Sequence, residues 1–174
     1  MNAESGLLQF YRLRGRDHRG RTLADIRAFG ADRLEDTHDY IQWLFPLPEP
    51  SGANPHAPLL TQRDIATFET ESALREELLR SLEVMLRFYG LSLAGTPGAR
   101  RVDRAASYAS RSGEWLHRSH NFLRISRILR ALALLGCGEE ARAFLAQLEE
   151  IYRENAQDIG SDALRHWRRA VEAR

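Results

Sequence analysis

The sequence has no lysine and only one cysteine, and both shortages narrow the class of protein. All 25 basic residues are therefore arginine. Together with abundant Ala, Gly and Leu, this bias is typical of a GC-rich genome, so we expect a bacterial source. The single cysteine, Cys137, lies between two glycines. The chain is thus predicted to contain neither a disulfide framework nor a thiolate metal cluster.

The sequence also lacks an excess charge and any long apolar run. The formal net charge is +1, with 25 basic against 24 acidic residues, which argues against a dedicated nucleic-acid binder. The longest apolar run, 131–135, is too short to span a bilayer. The first residues have no signal-peptide pattern. We therefore expect a cytoplasmic chain without a transmembrane segment.

Common catalytic motifs are missing as well. There is no GxSxG, no phosphate-binding loop and no HExxH. His38 has no second histidine three or four residues away, and only the fold could bring His117 or His120 to it. We predict no metal and no cofactor. An enzyme remains an alternative, because catalytic groups assemble in space.

Helical periodicity is what the sequence has in abundance. Its 174 residues, 43% of them hydrophobic, suit one compact domain over 1–174. The fold class is predicted to be all-α, with seven or eight helices around a central apolar helix. The predicted helices cover 22–29, 32–45, a short stretch from 61, 73–89, 101–117, 121–135, a stretch from 139, and a last one around 164–171. The Gly- and Pro-rich stretch 94–100 is predicted to connect two helices.

The predicted helix 32–45 runs into three prolines within five residues. Asp32 is its expected N-cap, with Glu35 in the capping-box position. The prolines fix the backbone where the chain leaves the helix. They suit the rim of a binding site as well as the closure of a core.

Side chains on this helix form the first half of a candidate site. At 100° per residue, His38 and Tyr40 share an apolar arc, whereas Trp43 lies on the other side with Asp36 and Asp39. Trp43 either packs against a loop or forms the aromatic wall of a ligand groove, where the carboxylates could hold an amine. His38 is predicted to be a core imidazole, with a ligand-binding role as the alternative.

The segment "RSHNFLRISRIL" at 118–129 carries the second half. Asn121 is predicted to cap this helix. Leu123 and Leu134 lie opposite the main apolar face, so the helix is apolar nearly all round and is the candidate for the central one.

Arginine side chains project from this apolar helix, and a charged group close to a core needs a partner. Arg124 and Arg127 either pair with carboxylates of the first segment or form an anion-binding pocket together with Arg118 and His120. Contact with a nucleic-acid backbone is a minor alternative.

Several stretches together identify a family. They are "FYR" at 10–12, "YIQWLFPLPEPS" at 40–51, "FYG" at 88–90, "VDRAASYASR" at 102–111 and "RSHNFLRISRIL" at 118–129. In these residues the chain resembles the conserved domain of the opioid growth factor receptor family, over about residues 7–136. We expect the C-terminal helices at 139–174 to complete that domain.

The resemblance implies a fold and a role. Animal members are implied to be soluble or nuclear-associated proteins that bind the pentapeptide Tyr-Gly-Gly-Phe-Met and restrain cell proliferation. We expect a bacterial member without their repeat-bearing tail. The resemblance provides no ligand-contacting residues, so the candidate site is inferred from the residues themselves.

Three hypotheses follow for function. The first is a non-enzymatic module that binds a short peptide or small anionic ligand in a groove between helices. In it Asp36 or Asp39 would meet an amine, Tyr40 and Trp43 would meet an aromatic ring, and an arginine of the second segment would meet a carboxylate.

The other two hypotheses belong to different classes. An enzyme acting on an anionic small molecule would use His38 or His120 as acid–base and Arg124 with Arg127 as an anion clamp. A protein-interaction scaffold, such as a homodimer, would expose an apolar patch on the C-terminal helices with Tyr152 and Trp167.

Overall fold

The computed structural model describes residues 4–172 and is almost entirely helical. These residues form eleven helices and one two-stranded hairpin, which confirms the all-α class. The helices outnumber the predicted seven or eight, because two short ones were not predicted and one predicted helix is split. The chain falls into two compact units, the first ending at Ser81 and the second beginning at Leu82. The predicted domain span of 1–174 includes residues 1–3 and 173–174, which lie outside the described residues.

Six helices begin in the first unit. They are α1 (Gly6–Tyr11), α2 (Leu23–Arg27), α3 (Ala31–Asp36), α4 (Ile41–Leu44), α5 (Gln62–Thr70) and α6 (Ser72–Tyr89). Helices α2 and α5 begin at capping boxes. Thr22 and Thr61 accept the backbone N–H groups of Asp25 and Asp64, whose carboxylates in turn accept the N–H groups of the two threonines.

The predicted helix 32–45 is wrong, because the backbone leaves the helix between α3 and α4. Gly30 is the N-cap of α3, and Thr37 at its C-cap is extended. Two contacts hold the break. The buried Tyr40 hydroxyl donates to the carbonyl of Leu34 at 3.0 Å, and the Asp39 carbonyl accepts from a side chain of a later loop. These bonds take the place of helical hydrogen bonds. The helical spacing of apolar residues therefore continues across a stretch that is not helical.

The core of the first unit combines aliphatic side chains with several buried aromatic rings. Tyr11 packs edge-on against Phe68, and its hydroxyl donates to the carbonyl of Leu44. The buried Asp64 links α5 to the start of α1 through a 2.7 Å bond from the Ser5 hydroxyl. Because its carboxylate also closes the capping box, one buried charge stabilises two helix starts.

The second unit contains the end of α6 and all later elements. They are β1 (Leu91–Ala94), β2 (Arg101–Arg104), α7 (Tyr108–Trp115), α8 (Ser119–Leu134), α9 (Gly138–Glu154), α10 (Ala156–Ile159) and α11 (Ser161–Glu172). Helix α8 packs against both α9 and α11. The long helices have the predicted positions, because their apolar stripes are long enough to define them.

The second strand of a β-hairpin replaces the start of the predicted helix 101–117, and only α7 remains of that helix. In the hairpin, Leu93 pairs with Val102 and Leu91 with Arg104 in antiparallel register. Gly90, with φ of 77°, ends α6 in a left-handed conformation. Each strand has four residues, too few for alternation to stand out from the helical spacing of the alanines that follow.

The stretch predicted to connect two helices is the hairpin turn. Gly95 has φ of 80°, and a Cβ there would lie 2.1 Å from the Ala99 carbonyl oxygen, so the turn requires glycine. Glu139, in the first turn of α9, accepts the backbone N–H groups of Gly98 at 2.9 Å and Arg100 at 2.8 Å. These bonds fasten the turn to α9.

Helix α8 differs from its prediction in two respects. Asn121 is fully buried inside the helix, and Arg118 occupies the N-cap. Leu123 is 72% exposed, so one side of the helix faces solvent and the helix is not apolar all round. Among residues 4–172, none of the helices has both the length and the apolar character needed to cross a membrane.

The apolar patch of the scaffold hypothesis does not include Trp167. This side chain is fully buried, and its indole N–H donates to the carbonyl of Phe122 at 3.0 Å. Tyr152 is half-buried. The expectation that Trp167 lies exposed is therefore wrong.

Candidate functional site

Three rings of the first unit stack from solvent into the core, and we call His56, His18 and Trp43 the ring platform. The imidazoles of His56 and His18 have centroids 5.4 Å apart and are inclined by 19°. His18 and Trp43 lie 6.4 Å apart at 18°. His56 is exposed, whereas Trp43 is buried with its ring against the edge of Phe10. The platform therefore offers an exposed ring on a fixed base.

Hydrogen bonds fix the middle ring. The indole Nε1 of Trp43 donates to His18 Nδ1 at 3.1 Å, and His18 Nε2 lies 3.5 Å from Asp39 Oδ2. Because Nδ1 accepts, it carries no proton, and the geometry requires the neutral Nε2–H tautomer of His18.

A set of alternating charges surrounds this imidazole, and we call Asp17, Arg19, Arg21 and Asp39 the Asp39 network. Asp39 binds Arg19 Nε at 3.0 Å and Arg21 Nη2 at 2.8 Å. Arg21 also binds Asp17 at 2.6 Å. The Asp17 side chain has no exposed surface, and it accepts the backbone N–H groups of both arginines.

The network shifts the pKa of two of its members. Burial would raise the pKa of Asp39, but hydrogen bonds from Arg21 and Arg19 outweigh it, so this pKa lies below its ordinary value. Burial would likewise lower the pKa of Arg21, but its bonds to Asp39 and Asp17 raise it instead. Both groups are therefore held in their charged forms.

Buried side-chain amides connect the loop that carries His56 to the residues around the start of α4. Asn54 donates to the Asp39 carbonyl at 3.1 Å and to the Gln42 side chain at 3.4 Å. Its oxygen accepts the backbone N–H of His56 at 3.0 Å. Between the first two prolines, Leu47 forms a backbone bridge with Leu59, so the loop returns to the proline segment. The proline exit thus supports the loop that carries His56.

The predicted residues of the first unit lie in different environments. Asp39 and Trp43 meet at His18, as described above. Asp36, at the end of α3, and His38, in the break, are exposed, so the prediction that His38 lies on a buried arc is wrong. Tyr40 is buried with its hydroxyl bonded to a carbonyl.

The predicted residues of the second unit lie at the start of α8. Arg118 is exposed, and Arg127 is half-buried. Arg124 is buried and donates to Asn121 Oδ1 at 3.3 Å, while His120 Nε2 lies 3.4 Å from the Asn121 amide nitrogen. Asn121 thus brings His120 and Arg124 together.

Sequence reasoning missed the residues that complete the site in the first unit. His18, Arg19, Arg21 and His56 lie in loops without periodicity, and His18 is 25 residues from Trp43. The one local signal is the "RDHRGR" stretch at 16–21, where acidic, basic and imidazole groups are adjacent. Nothing in that stretch indicates which ring the imidazole meets.

Comparison with known proteins now gives the family. The sequence profile described as "Opioid growth factor receptor (OGFr) conserved region" matches residues 23–174, whereas the resemblance was predicted over 7–136. The opioid growth factor receptor of Homo sapiens is 42% identical over 146 residues, which cover 82% of this chain and 21% of that protein. The Rattus norvegicus receptor is 40% identical, with 82% and 25% covered.

A related protein matches over a shorter stretch. The opioid growth factor receptor-like protein 1 of Mus musculus is 42% identical over 106 residues, which cover 60% of this chain and 22% of that protein. No solved structure matches the chain significantly. The chain spans about a fifth to a quarter of the length of the curated relatives named here. On the profile match and these identities, the chain belongs to the opioid growth factor receptor family.

Proposed function

We propose that this chain is a non-enzymatic module that binds a short peptide or small anionic ligand, and that its first unit contacts the ligand through the ring platform. The observation that carries the proposal is the exposed ring of His56 on a base that hydrogen bonds already fix. A fixed base lowers the entropy lost on binding. An aromatic side chain of a ligand can stack on the outer face of His56.

The bonding of His18 favours binding over catalysis. His18 beside Asp39 is the arrangement that an acid–base site would use. However, His18 Nδ1 accepts from Trp43 and therefore has no lone pair for a substrate proton. Asp39 in turn is held charged by two arginines. Both groups act as fixed supports in this proposal.

The chemistry of the ligand follows from the exposed groups and the family. The relatives are named receptors of an opioid growth factor, and Tyr-Gly-Gly-Phe-Met offers two rings, one amine and one carboxylate. The exposed Asp36 suits the amine, and Arg19, with 67% of its side chain exposed, suits the carboxylate. Asp39, Tyr40 and Trp43 then support the site from behind, and His38 lies at its edge.

The second unit provides a separate candidate for an anionic group. Arg118 at the N-cap of α8 is exposed, and Arg127 within the helix is half-buried. His120 and Arg124, joined through Asn121, would position these groups. Guanidinium groups bind carboxylate and phosphate well.

The size of the pentapeptide limits its affinity. It has about 40 non-hydrogen atoms, so at about 0.3 kcal/mol per atom its binding free energy reaches at most about 12 kcal/mol. Ordering its flexible Gly-Gly segment costs several kcal/mol of that. We therefore expect a dissociation constant in the micromolar range.

Calorimetric titration of the whole chain with Tyr-Gly-Gly-Phe-Met and with a scrambled peptide tests the proposal. We expect saturable binding of the true sequence only. His56→Ala should weaken it by about three- to tenfold, which is the value of one ring contact. His166→Ala is the matched control, because His166 is an exposed histidine on α11 and should leave affinity unchanged.

Two outcomes would contradict parts of the proposal. Absence of binding up to millimolar peptide would reject the peptide ligand for this chain. Loss of binding in Arg118→Ala but not in His56→Ala would place the ligand on the second unit and make the ring platform structural.

A further inference from the structure

We infer that His18 is a positioning residue that holds Trp43 only as a neutral imidazole, so that protonation of His18 releases the ring platform. The inference rests on the direction of one hydrogen bond. The indole of Trp43 can only donate, and its partner is His18 Nδ1 at 3.1 Å. A doubly protonated imidazole would set two N–H groups against each other at that contact.

Charged groups from two segments of the chain surround His18. On its own loop, Asp17 and the two arginines Arg19 and Arg21 belong to the Asp39 network, and Asp39 faces His18 from the break before α4. The network contains two carboxylates and two guanidinium groups and is therefore balanced while His18 is neutral. Both guanidinium groups already bind the Asp39 carboxylate that lies beside His18 Nε2.

The third face of His18 carries another titratable ring. His56 stacks on it at 5.4 Å, so a proton on either imidazole repels a proton on the other. Protonation therefore adds an unbalanced charge and breaks the Trp43 bond in one step.

Release of this bond changes the platform as a whole. Trp43 is buried, and its N–H would then lack a partner inside the protein, which is an unfavourable state. The ring must shift to find another acceptor, and His18 must turn away from it. The stack that supports His56 is then lost. Histidine is the side chain that gains a proton between about pH 8 and 5, so acidification in this range is the trigger.

The three tryptophans allow a direct test by NMR of the whole chain. Trp115 and Trp167 donate their indole N–H to backbone carbonyls, of Tyr89 at 3.1 Å and Phe122 at 3.0 Å. Those acceptors do not titrate, so the two signals serve as internal controls. We expect the Trp43 indole signal, assigned through Trp43→Phe, to shift or disappear on titration from about pH 8 to 5 while the other two stay.

A non-titrating variant isolates the cause. In His18→Gln, the amide oxygen can accept from Trp43 and the amide nitrogen can donate to Asp39. The Trp43 signal should then be constant over the same pH range, whereas His166→Gln should titrate like the unchanged chain. A Trp43 signal that stays constant in the unchanged chain, or that still moves in His18→Gln, would overturn the inference.

The tautomer of His18 provides a test that needs no variant. Correlation spectra of the imidazole nitrogens at about pH 8 should show an Nε2–H tautomer with unprotonated Nδ1. An Nδ1–H tautomer or a doubly protonated ring at this pH would contradict the assigned hydrogen bond.

The coupling to a ligand rests on the proposed function. If the peptide binds the ring platform, its affinity should fall by about fivefold or more between pH 8 and 5, and His18→Gln should abolish the difference. Equal affinity at both pH values would overturn the coupling. Absence of binding at every pH, with the expected shift of the Trp43 signal, would reject the proposed function and leave the role of His18 intact.

Discussion

At the scale of single residues, polar groups of the first unit divide into those already bonded and those open to solvent. Asp39 faces two guanidinium groups and an imidazole, so a ligand amine would have to displace one of them. Asp36 and His56 are exposed, and a ligand can reach them without breaking internal bonds. We therefore expect the exposed pair to make contacts and Asp39 to position neighbours.

The indole of Trp43 combines packing with one hydrogen bond, and two substitutions separate them. Trp43→Ala removes the buried ring and should lower the free energy of unfolding by about 3–5 kcal/mol. Trp43→Phe keeps an aromatic ring against Phe10 but loses the bond to His18, so it should cost about 1–2 kcal/mol. Urea denaturation of both variants measures the difference. Equal costs would show that the bond to His18 dominates.

Asp39 makes the free energy of unfolding depend on pH in the acidic range. Its pKa in the folded chain lies below its ordinary value of 3.8, so its contribution is complete above that value and is lost as the pH falls through the lowered pKa. Asp39→Asn should therefore cost about 1–3 kcal/mol at neutral pH and clearly less at about pH 3. Urea denaturation at the two pH values gives the comparison. A cost that does not change with pH would indicate a purely steric effect.

Leu13 stands out because it is the non-glycine residue with positive φ, 60°, among residues 4–172, and its side chain is 58% exposed. A left-handed conformation costs a branched residue about 1–2 kcal/mol. Leu13→Gly removes that cost but increases the freedom of the unfolded chain by about 0.5–1 kcal/mol. We expect a net gain of about 0.5–1 kcal/mol in thermal or urea unfolding.

A second exposed leucine provides the control for this gain. Leu59 is 51% exposed and does not have positive φ. Leu59→Gly should therefore lower stability slightly, because only the entropic term remains. A loss of stability in Leu13→Gly would mean that Leu13 makes contacts that outweigh its strain.

At the scale of elements, the sequence predicts long helices, because their apolar spacing repeats over several turns. It does not predict breaks that single hydrogen bonds decide, or strands too short to show a pattern. Helices α6 and α9 were located from their apolar stripes, which continue for several turns. The break at 37–40 was missed because the apolar spacing continues across it, while bonds from Tyr40 and Asn54 decide the backbone. The hairpin was missed because each four-residue strand is too short to show alternation.

The fastening of the hairpin turn by Glu139 belongs to this scale. Bonds from Gly98 and Arg100 lower the pKa of this carboxyl. Glu139→Ala should speed hydrogen exchange at those two amides and leave the helices unchanged. Acidification through the lowered pKa should have the same effect on the unchanged chain, because the neutral acid is a weaker acceptor.

A second acid of α9 gives the matched control for the hairpin. Glu150 is an exposed carboxylate on the same helix, and Glu150→Ala should leave exchange at Gly98 and Arg100 unchanged. Equal exchange rates in Glu139→Ala and the unchanged chain would show that the turn is ordered without α9.

At the scale of the whole molecule, the charges nearly cancel and many are paired at the surface. Arg14 binds Glu4 and Arg168 binds Glu149, in both cases with more than half of the arginine side chain exposed. Such pairs contribute about 0–1 kcal/mol each, and salt screens them. A net charge of +1 leaves little general repulsion for salt to relieve.

Stability should therefore fall slightly with ionic strength. We expect about 1–2 kcal/mol less free energy of unfolding when NaCl is raised from about 0.05 M to about 0.5 M, measured by urea denaturation. A rise in stability with salt would indicate that repulsion between like charges, such as the arginines of residues 12–21, outweighs the paired contacts.

The candidate site shows the limit of sequence reasoning for the molecule as a whole. Trp43 and Asp39 could be selected because they lie four residues apart near the prolines. His18 and His56 could not, because only the folded chain brings distant loops to the same indole. The family could be recognised without either, because the motifs that identify it are contiguous stretches.

The native turn between β1 and β2 combines local pairing with two bonds to a distant acceptor. The acceptor for its Gly98 and Arg100 amides is a carboxylate 41 and 39 residues further along the chain. Isolated hairpins and helices form within microseconds, whereas this turn must wait until the first turn of α9 has folded and docked. We therefore expect the native turn to form late in folding, after the helices of the second unit, which amide protection followed during refolding would show.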